Sequence, residues 1–252
     1  MVDILFLVER EELAVSIAQF LVFDLDDTLL DTSDVYYLAR KRFLDIMTEA
    51  GFEESKTLEV FEEIDAELIR VMKHSPARYG ESMKLTYGKL AKSDGKSLSN
   101  DTLSRIEACG EMVPNGIPNI IDGARNLLDW SVRNYTVGLF TRGENWLQSR
   151  KVEASGLAKY FTHFEVVKEK NADVLGKFIK KSGFDPSNTW IIGDSIKSDI
   201  NPGIQIGAHC ILFAYAHPHY IWLQEYDTKP IGNSFHRIEN LEEAIPIISS
   251  RK

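Results

Sequence analysis

Phe20-Leu21-Val22-Phe23 runs directly into Asp24-Leu25-Asp26-Asp27-Thr28-Leu29-Leu30-Asp31, and this junction constrains the fold more than any other stretch. A short, continuous run of β-favouring apolar residues is the pattern of a strand buried on both faces, as in a parallel sheet. In open α/β sheets ligands sit just beyond the carboxyl ends of the strands. Asp24 and Asp26 are therefore expected at the mouth of a crevice, close enough to share one substrate and one metal ion. Two neighbouring carboxylates raise each other's pKa, and a bound divalent cation removes that penalty. The plain alternative is an acidic turn, since Asp is common in turns.

Residues 32–113 carry helical periodicity and almost no β-branched apolar runs. Thr32, Ser33 and Asp34 offer an N-cap; Tyr36, Phe43, Ile46 and Ala50 then share one stripe before Gly51 closes the helix. Similar patterns cover 57–74, 80–92 and 99–112, so a small helical bundle is expected. It ends in the turn-rich Pro114-Asn115-Gly116-Ile117-Pro118. Beyond it, helices around 118–131, 144–155, 172–182 and 198–206 alternate with strands at 135–140, 163–167, 189–192 and 210–213. That alternation implies a Rossmann-like, three-layer α/β core with a parallel sheet. The core comprises residues 1–31 and 114–252, and the all-helical unit at 32–113 is inserted directly after the acidic junction.

The 252 residues have a formal charge of -9, which argues against a broad nucleic-acid or anionic-membrane surface. An anionic substrate must then be held by local positive groups. No run of 18 apolar residues occurs, so no transmembrane helix is expected. Cys109 and Cys210 are far apart and lack metal-ligand spacing, which fits a reducing cytoplasm. Ile4–Val8 is too short for a signal-peptide core and meets Glu9 at once, so residues 1–19 read as a packing extension.

Three further polar signals fall at strand ends. Thr141-Arg142-Gly143 follows Phe140, Lys168-Glu169-Lys170 follows Val167, and Gly193-Asp194-Ser195 follows Ile192, with Asp199 five residues after Asp194. Each alone reads as loop chemistry: a helix cap, solvated lysines, a turn-forming Asp. Together they place a hydroxyl, an ammonium and carboxylates on one edge of one sheet.

This ordered set, Asp24-Leu25-Asp26-Asp27-Thr28, Thr141, Lys170 and Gly193-Asp194-Ser195 with Asp199, resembles the four motifs of the haloacid dehalogenase superfamily over about residues 20–215. The helical insertion between the first and second motifs is similar to that family's helical cap. The resemblance implies a Mg²⁺-dependent phosphohydrolase that cleaves a small phosphorylated metabolite through an aspartyl phosphate. Asp24 would be the nucleophile, and Asp26 the acid and then the base, a role worth about 10²–10⁴-fold. Thr141, the backbone N–H of Arg142 and Lys170 would hold the phosphoryl group. Asp24, the carbonyl of Asp26 and Asp194 would ligate Mg²⁺, while Asp199 would orient the loop. Lys170 is favoured over Lys168 because it lies 24 residues before Asp194, as the family's spacing implies. Two departures are Asn171, where the family often has proline, and Arg142, where it often has asparagine. Asp26 also separates reaction classes, because the resemblance implies that dehalogenases proper lack this second acid. A phosphomutase, a dehalogenase and a non-catalytic regulatory protein are the rival readings.

Weaker signals are the basic Arg70, Lys73, His74, Arg78 and Tyr79, which either reach over the crevice or form a solvated helix end. His217-Pro218-His219, near Tyr220, Trp222 and Tyr226, reads as a packed or partner-facing loop rather than a metal pair. Trp130, Trp146 and Trp190 read as packing residues, and Asp31 as a helix cap.

Overall fold

The computed structural model describes residues 19–73, 75–215 and 228–251. β1 (Phe20–Phe23) is buried along its whole length. After a tight turn the chain forms β2 (Leu30–Asp31) and enters α1 (Thr32–Glu49), α2 (Glu54–Met72), α3 (Arg78–Ser93) and α4 (Asn100–Asn115). It returns through β3 (Asn119–Ile120), which pairs antiparallel with β2, so both connections to the helical unit run through one short ribbon. Then follow α5 (Ala124–Asn134), β4 (Thr136–Arg142), α6 (Asn145–Ala154), β5 (His163–Val167), α7 (Ala172–Lys181) and β6 (Thr189–Gly193). α8 (Asn201–Gln205), β7 (His209–Phe213), β8 (Phe235–Ile238) and α9 (Ala244–Ser249) complete the strands and α-helices of the described residues.

The six-stranded sheet has the order β5-β4-β1-β6-β7-β8, with every pairing parallel. The order reverses at β1, whose two neighbours, β4 and β6, lead away in opposite directions; ligands bind at such switch points. Phe23 is in register with Leu139 on one side and Ile192 on the other. Asp24 therefore comes level with Phe140 of β4 and Gly193 of β6, and Thr141 and Asp194 follow one residue later. Side chains alternate faces along a strand. Leu21 and Phe23 join Leu139, Trp190 and Ile192 in one core layer, while Phe20 and Val22 join Phe140, Phe178 and Ile191 in the other.

The four inserted helices have their own core, built on Phe43, Met47, Phe61, Met83, Tyr87 and Ile106. α3 and α4 touch at Gly80 and Gly110, where a Cβ on Gly110 would fall 2.6 Å from Gly80 Cα.

Several boundaries differ from the periodicity. The expected helix at 118–131 begins only at Ala124, after Gly123 turns the chain at φ 82, and β3 occupies its first part. α4 runs on through Pro114 to Asn115. The expected helix at 198–206 is split into a π-helical turn, Ile196–Ile200, followed by α8. β2, β3, β8 and α9 carry too little periodicity to be anticipated. Trp190 is core, but Trp146 is 53% exposed and does not pack as expected. Residues 1–18, His74, His217-Pro218-His219, Tyr220, Trp222 and Tyr226 lie outside the described residues.

Candidate active site

β1 delivers Asp24 to the sheet edge, where its N–H donates to Ile192 O at 2.9 Å and extends the β1–β6 pairing by one residue. Asp24 is 8% exposed. Its Oδ1 accepts a hydrogen bond from Lys170 Nζ, and the same ammonium lies 2.7 Å from Asp199 Oδ1. Burial pushes the Asp24 carboxyl up to about 7; Lys170 pulls it down, but Asp199 and Asp26 push it up further. Burial by itself would weaken the Lys170 proton, yet Asp199 and Asp24 outweigh it and hold the ammonium above its usual range. Lys168 is exposed, so Lys170 takes the place that the sequence left between them.

Asp194 follows β6. Thr28 Oγ1 lies 3.4 Å from Asp194 Oδ1 and 3.5 Å from Asp24 Oδ2, so the two carboxylates converge on one hydroxyl. The π-helical turn then carries Asp199 back under the strand end, where its Oδ2 accepts from the Ser195 N–H at 3.1 Å. Such turns are rare and frequent at functional sites.

Asp26 has a different environment. Its Oδ1 accepts from Thr32 Oγ1 at 2.5 Å and Lys151 Nζ at 2.7 Å, and its Oδ2 from Gln148 Nε2 at 2.7 Å. Burial works to raise its pKa, but the Lys151 charge and these three donors prevail and hold it below the ordinary carboxylate range. Gln148 Nε2 also reaches Thr141 Oγ1 at 2.7 Å and Arg142 O at 3.2 Å. Thr141, at the end of β4, is itself buried. One amide thus joins the turn after β1 to the end of β4.

Asp27 stands apart. It turns the chain at φ 57, and its carboxylate accepts from Ser33 N–H and Ser33 Oγ, each at 2.8 Å. Asp31 caps α1 through the Asp34 N–H at 3.1 Å. These two acids are tied into the entry of the helical unit.

Asp24, Asp26, Thr141, Arg142, Lys170, Asp194 and Asp199 all line one crevice, so the structure brings every sequence-selected site residue together. Four partners were missed: Thr28, Thr32, Gln148 and Lys151. The last two are three residues apart on one helix, hence on one face, but nothing in the sequence aims that face at Asp26. The basic cluster is divided. Arg78 is buried against Asp65, Tyr79 is buried, and the exposed Lys73 reaches Glu169 at 3.5 Å.

The donor set suits a hard cation. Carboxylate oxygens of Asp24, Asp194 and Asp199 all lie within 4.8 Å of one another, and oxygen ligands of this kind are what Mg²⁺ takes. The Asp24 pKa is raised first by burial, with Asp199 and Asp26 adding to it. Three donors occupy the Asp26 carboxylate and leave about one of its four lone-pair positions open.

Buried carboxylates and an ammonium at the carboxyl ends of a parallel sheet define an α/β enzyme core. A family model described as haloacid dehalogenase-like hydrolase matches residues 21–213, and the chain belongs to that family. It is 27% identical over 203 residues to a glyceraldehyde 3-phosphate phosphatase of Pyrococcus furiosus, covering 77% of this chain and 79% of the relative. It is 25% identical over 218 residues to a pyrimidine 5'-nucleotidase of Streptococcus pneumoniae, covering 81% and 85%. The fold is also that of a haloacid dehalogenase-like family hydrolase from Xanthomonas campestris, with a TM-score of 0.74, 22% identity and 93% of each chain covered.

Proposed function

We propose that this protein is a Mg²⁺-dependent phosphohydrolase that cleaves small phosphate monoesters through an aspartyl phosphate on Asp24. The observation that carries the reading is the pair of unlike acids in one crevice: Asp24 buried against Lys170 beside Asp194, and Asp26 held separately by Lys151, Thr32 and Gln148. Asp24 Oδ attacks phosphorus, the bond from phosphorus to the ester oxygen breaks, and Asp26 in its protonated form, the minor one at neutral pH given its lowered pKa, gives its proton to the leaving oxygen. Water then attacks the phosphoryl group, Asp26 takes the proton, and inorganic phosphate leaves with Asp24 restored. Splitting one displacement into two in this way is the gain of a covalent intermediate.

The Thr141 hydroxyl, the Arg142 N–H and the Lys170 ammonium hold the phosphoryl oxygens, and preorganised donors of this kind contribute about 10²–10³-fold each. Asp24, Asp194 and the Asp26 carbonyl would hold the cation, whose chemistry is neutralisation of phosphoryl charge. Asp199 acts through others, fixing Lys170 and the Ser195 loop. Residues 32–113 form a cap, a reading supported by Thr32 and Tyr36 at the crevice wall. The relatives' names support a small phosphorylated metabolite as substrate. A cytoplasmic setting is supported by two buried free cysteines and, among the described residues, by no helix long and apolar enough to cross a membrane.

A panel of phosphate monoesters assayed with Mg²⁺ and then with excess chelator tests this reading. Phosphate release that disappears in chelator and in Asp24→Asn is expected. Activity that persists in Asp24→Asn contradicts it.

A further inference from the structure

α6 brings a second ammonium into the crevice. Lys151 is only 6% exposed, although burying an ammonium is costly unless it is paired. Its Nζ lies 2.7 Å from Asp26 Oδ1, and Asp26 is its one partner among the described residues. An ammonium carries three N–H donors, so two remain for whatever enters the crevice that Lys151 lines. Lys170 differs, because its donors are directed at two carboxylates, Asp24 and Asp199. The two lysines thus mark opposite sides of the reaction: Lys170 stands with the nucleophile, Lys151 with the acid that meets the leaving oxygen.

The position of Lys151 sets what it can reach. An ester oxygen hydrogen-bonded to Asp26 sits about 2.7 Å from one carboxylate oxygen, which puts it roughly 3–8 Å from Lys151 Nζ according to the oxygen and lone pair it takes. Oxygens on adjacent carbons lie about 3 Å apart when gauche. An oxygen on the carbon next to the ester carbon is then within reach of the ammonium whenever the ester oxygen takes the near side of Asp26. Gln148, bonded to both Asp26 Oδ2 and Thr141 Oγ1, keeps this side of the crevice in register with the phosphoryl side.

We propose that Lys151 is a specificity residue that donates a hydrogen bond to a vicinal oxygen of the leaving group, so that phosphate esters of 1,2-diol type are preferred over simple alkyl phosphates. The inference rests on the phosphohydrolase reading for the placement of the ester oxygen beside Asp26. A hydrogen bond from a charged donor contributes enough for roughly a tenfold to hundredfold preference.

The test compares 2-hydroxypropyl phosphate with propyl phosphate in the wild type, Lys151→Met and Lys151→Arg. The wild type is expected to favour the hydroxylated ester in kcat/KM by about tenfold or more. Lys151→Met should bring that ratio close to one, and Lys151→Arg should restore part of it. A wild type without preference overturns the proposal. So does a Lys151→Met protein in which both esters slow equally and the ratio persists, since that is the signature of a lysine that only supports Asp26. If Lys151→Met turns over too slowly to measure, calorimetric binding of the two esters to Asp24→Asn and to Asp24→Asn/Lys151→Met decides. Loss of the preference in the double variant supports the role, and its retention overturns it. Should the wild type hydrolyse no ester at all, the phosphohydrolase reading fails, and the same binding comparison still judges Lys151.

Discussion

Asp199 lies so close beneath Gly193 that a Cβ on Gly193 would fall 2.4 Å from the Asp199 carboxyl carbon. Asp199 cannot swing aside without losing Lys170 and the Ser195 N–H. Gly193→Ala is therefore expected to destabilise the protein by about 1–3 kcal/mol, the usual range for forced overpacking. Thermal denaturation reads the stability, and kcat/KM should fall along with it, because the displaced carboxylate is what fixes Lys170 against Asp24. An alanine variant with unchanged melting temperature and turnover would show that the strand end has slack that this geometry denies.

The crossing of α3 and α4 permits a similar argument away from the crevice. Alanine in place of glycine in a helix ordinarily gains up to about 1 kcal/mol. At Gly110 the added Cβ would meet Gly80 Cα at 2.6 Å, backbone against atom, so the helices must separate. Overpacking at about 1–3 kcal/mol outweighs the propensity gain, and Gly110→Ala should lower the denaturation midpoint. A stabilised variant would contradict the packing described for the inserted helices.

Asp26 gives a prediction that depends on the leaving group. As the proton donor, its loss in Asp26→Ala should cost about 10²–10⁴-fold for an alkyl phosphate. For p-nitrophenyl phosphate, whose leaving oxygen needs little help, the loss should be much smaller. Steady-state kinetics on the two esters separates these cases, and equal losses would count against the acid role.

Asp24 links cation binding to pH. Its carboxyl, pushed up to about 7 by burial, holds a proton over a range where an ordinary Asp is ionised. Without a cation, the stability this protonated form contributes is fully present below the unfolded Asp value and is lost as pH rises through about 7. Mg²⁺ must displace that proton, so its apparent affinity should weaken about tenfold between about pH 8 and about pH 6. Calorimetric titration at the two pH values measures this. Equal affinities would mean that Asp24 is already ionised or does not meet the cation.

The sheet and the heart of the site were legible for one physical reason. Asp24 and Asp194 follow strands β1 and β6, and Thr141 lies at the end of β4; each comes after a largely apolar run, and parallel register brings those runs' ends close together. Lys170 could be chosen only through family spacing, because Lys168 has the same chemistry two residues away. Gln148 and Lys151 were hidden, since a polar residue on a helix looks solvated until the helix is docked. Paired elements of two residues, β2 and β3, are too short to show any period. Trp146 is exposed where its size suggested packing, because its neighbours Leu147 and Gln148 take the inward face of α6.

The central claim is that Asp24 becomes covalently phosphorylated. Rapid acid quench of the wild type during turnover of a ³²P-labelled ester, followed by borohydride reduction and peptide mass spectrometry, tests it most directly. Homoserine in place of aspartate at position 24, in proportion to trapped label, is the predicted result. Turnover that leaves no acyl phosphate on the protein, or places it on another residue, would contradict the mechanism.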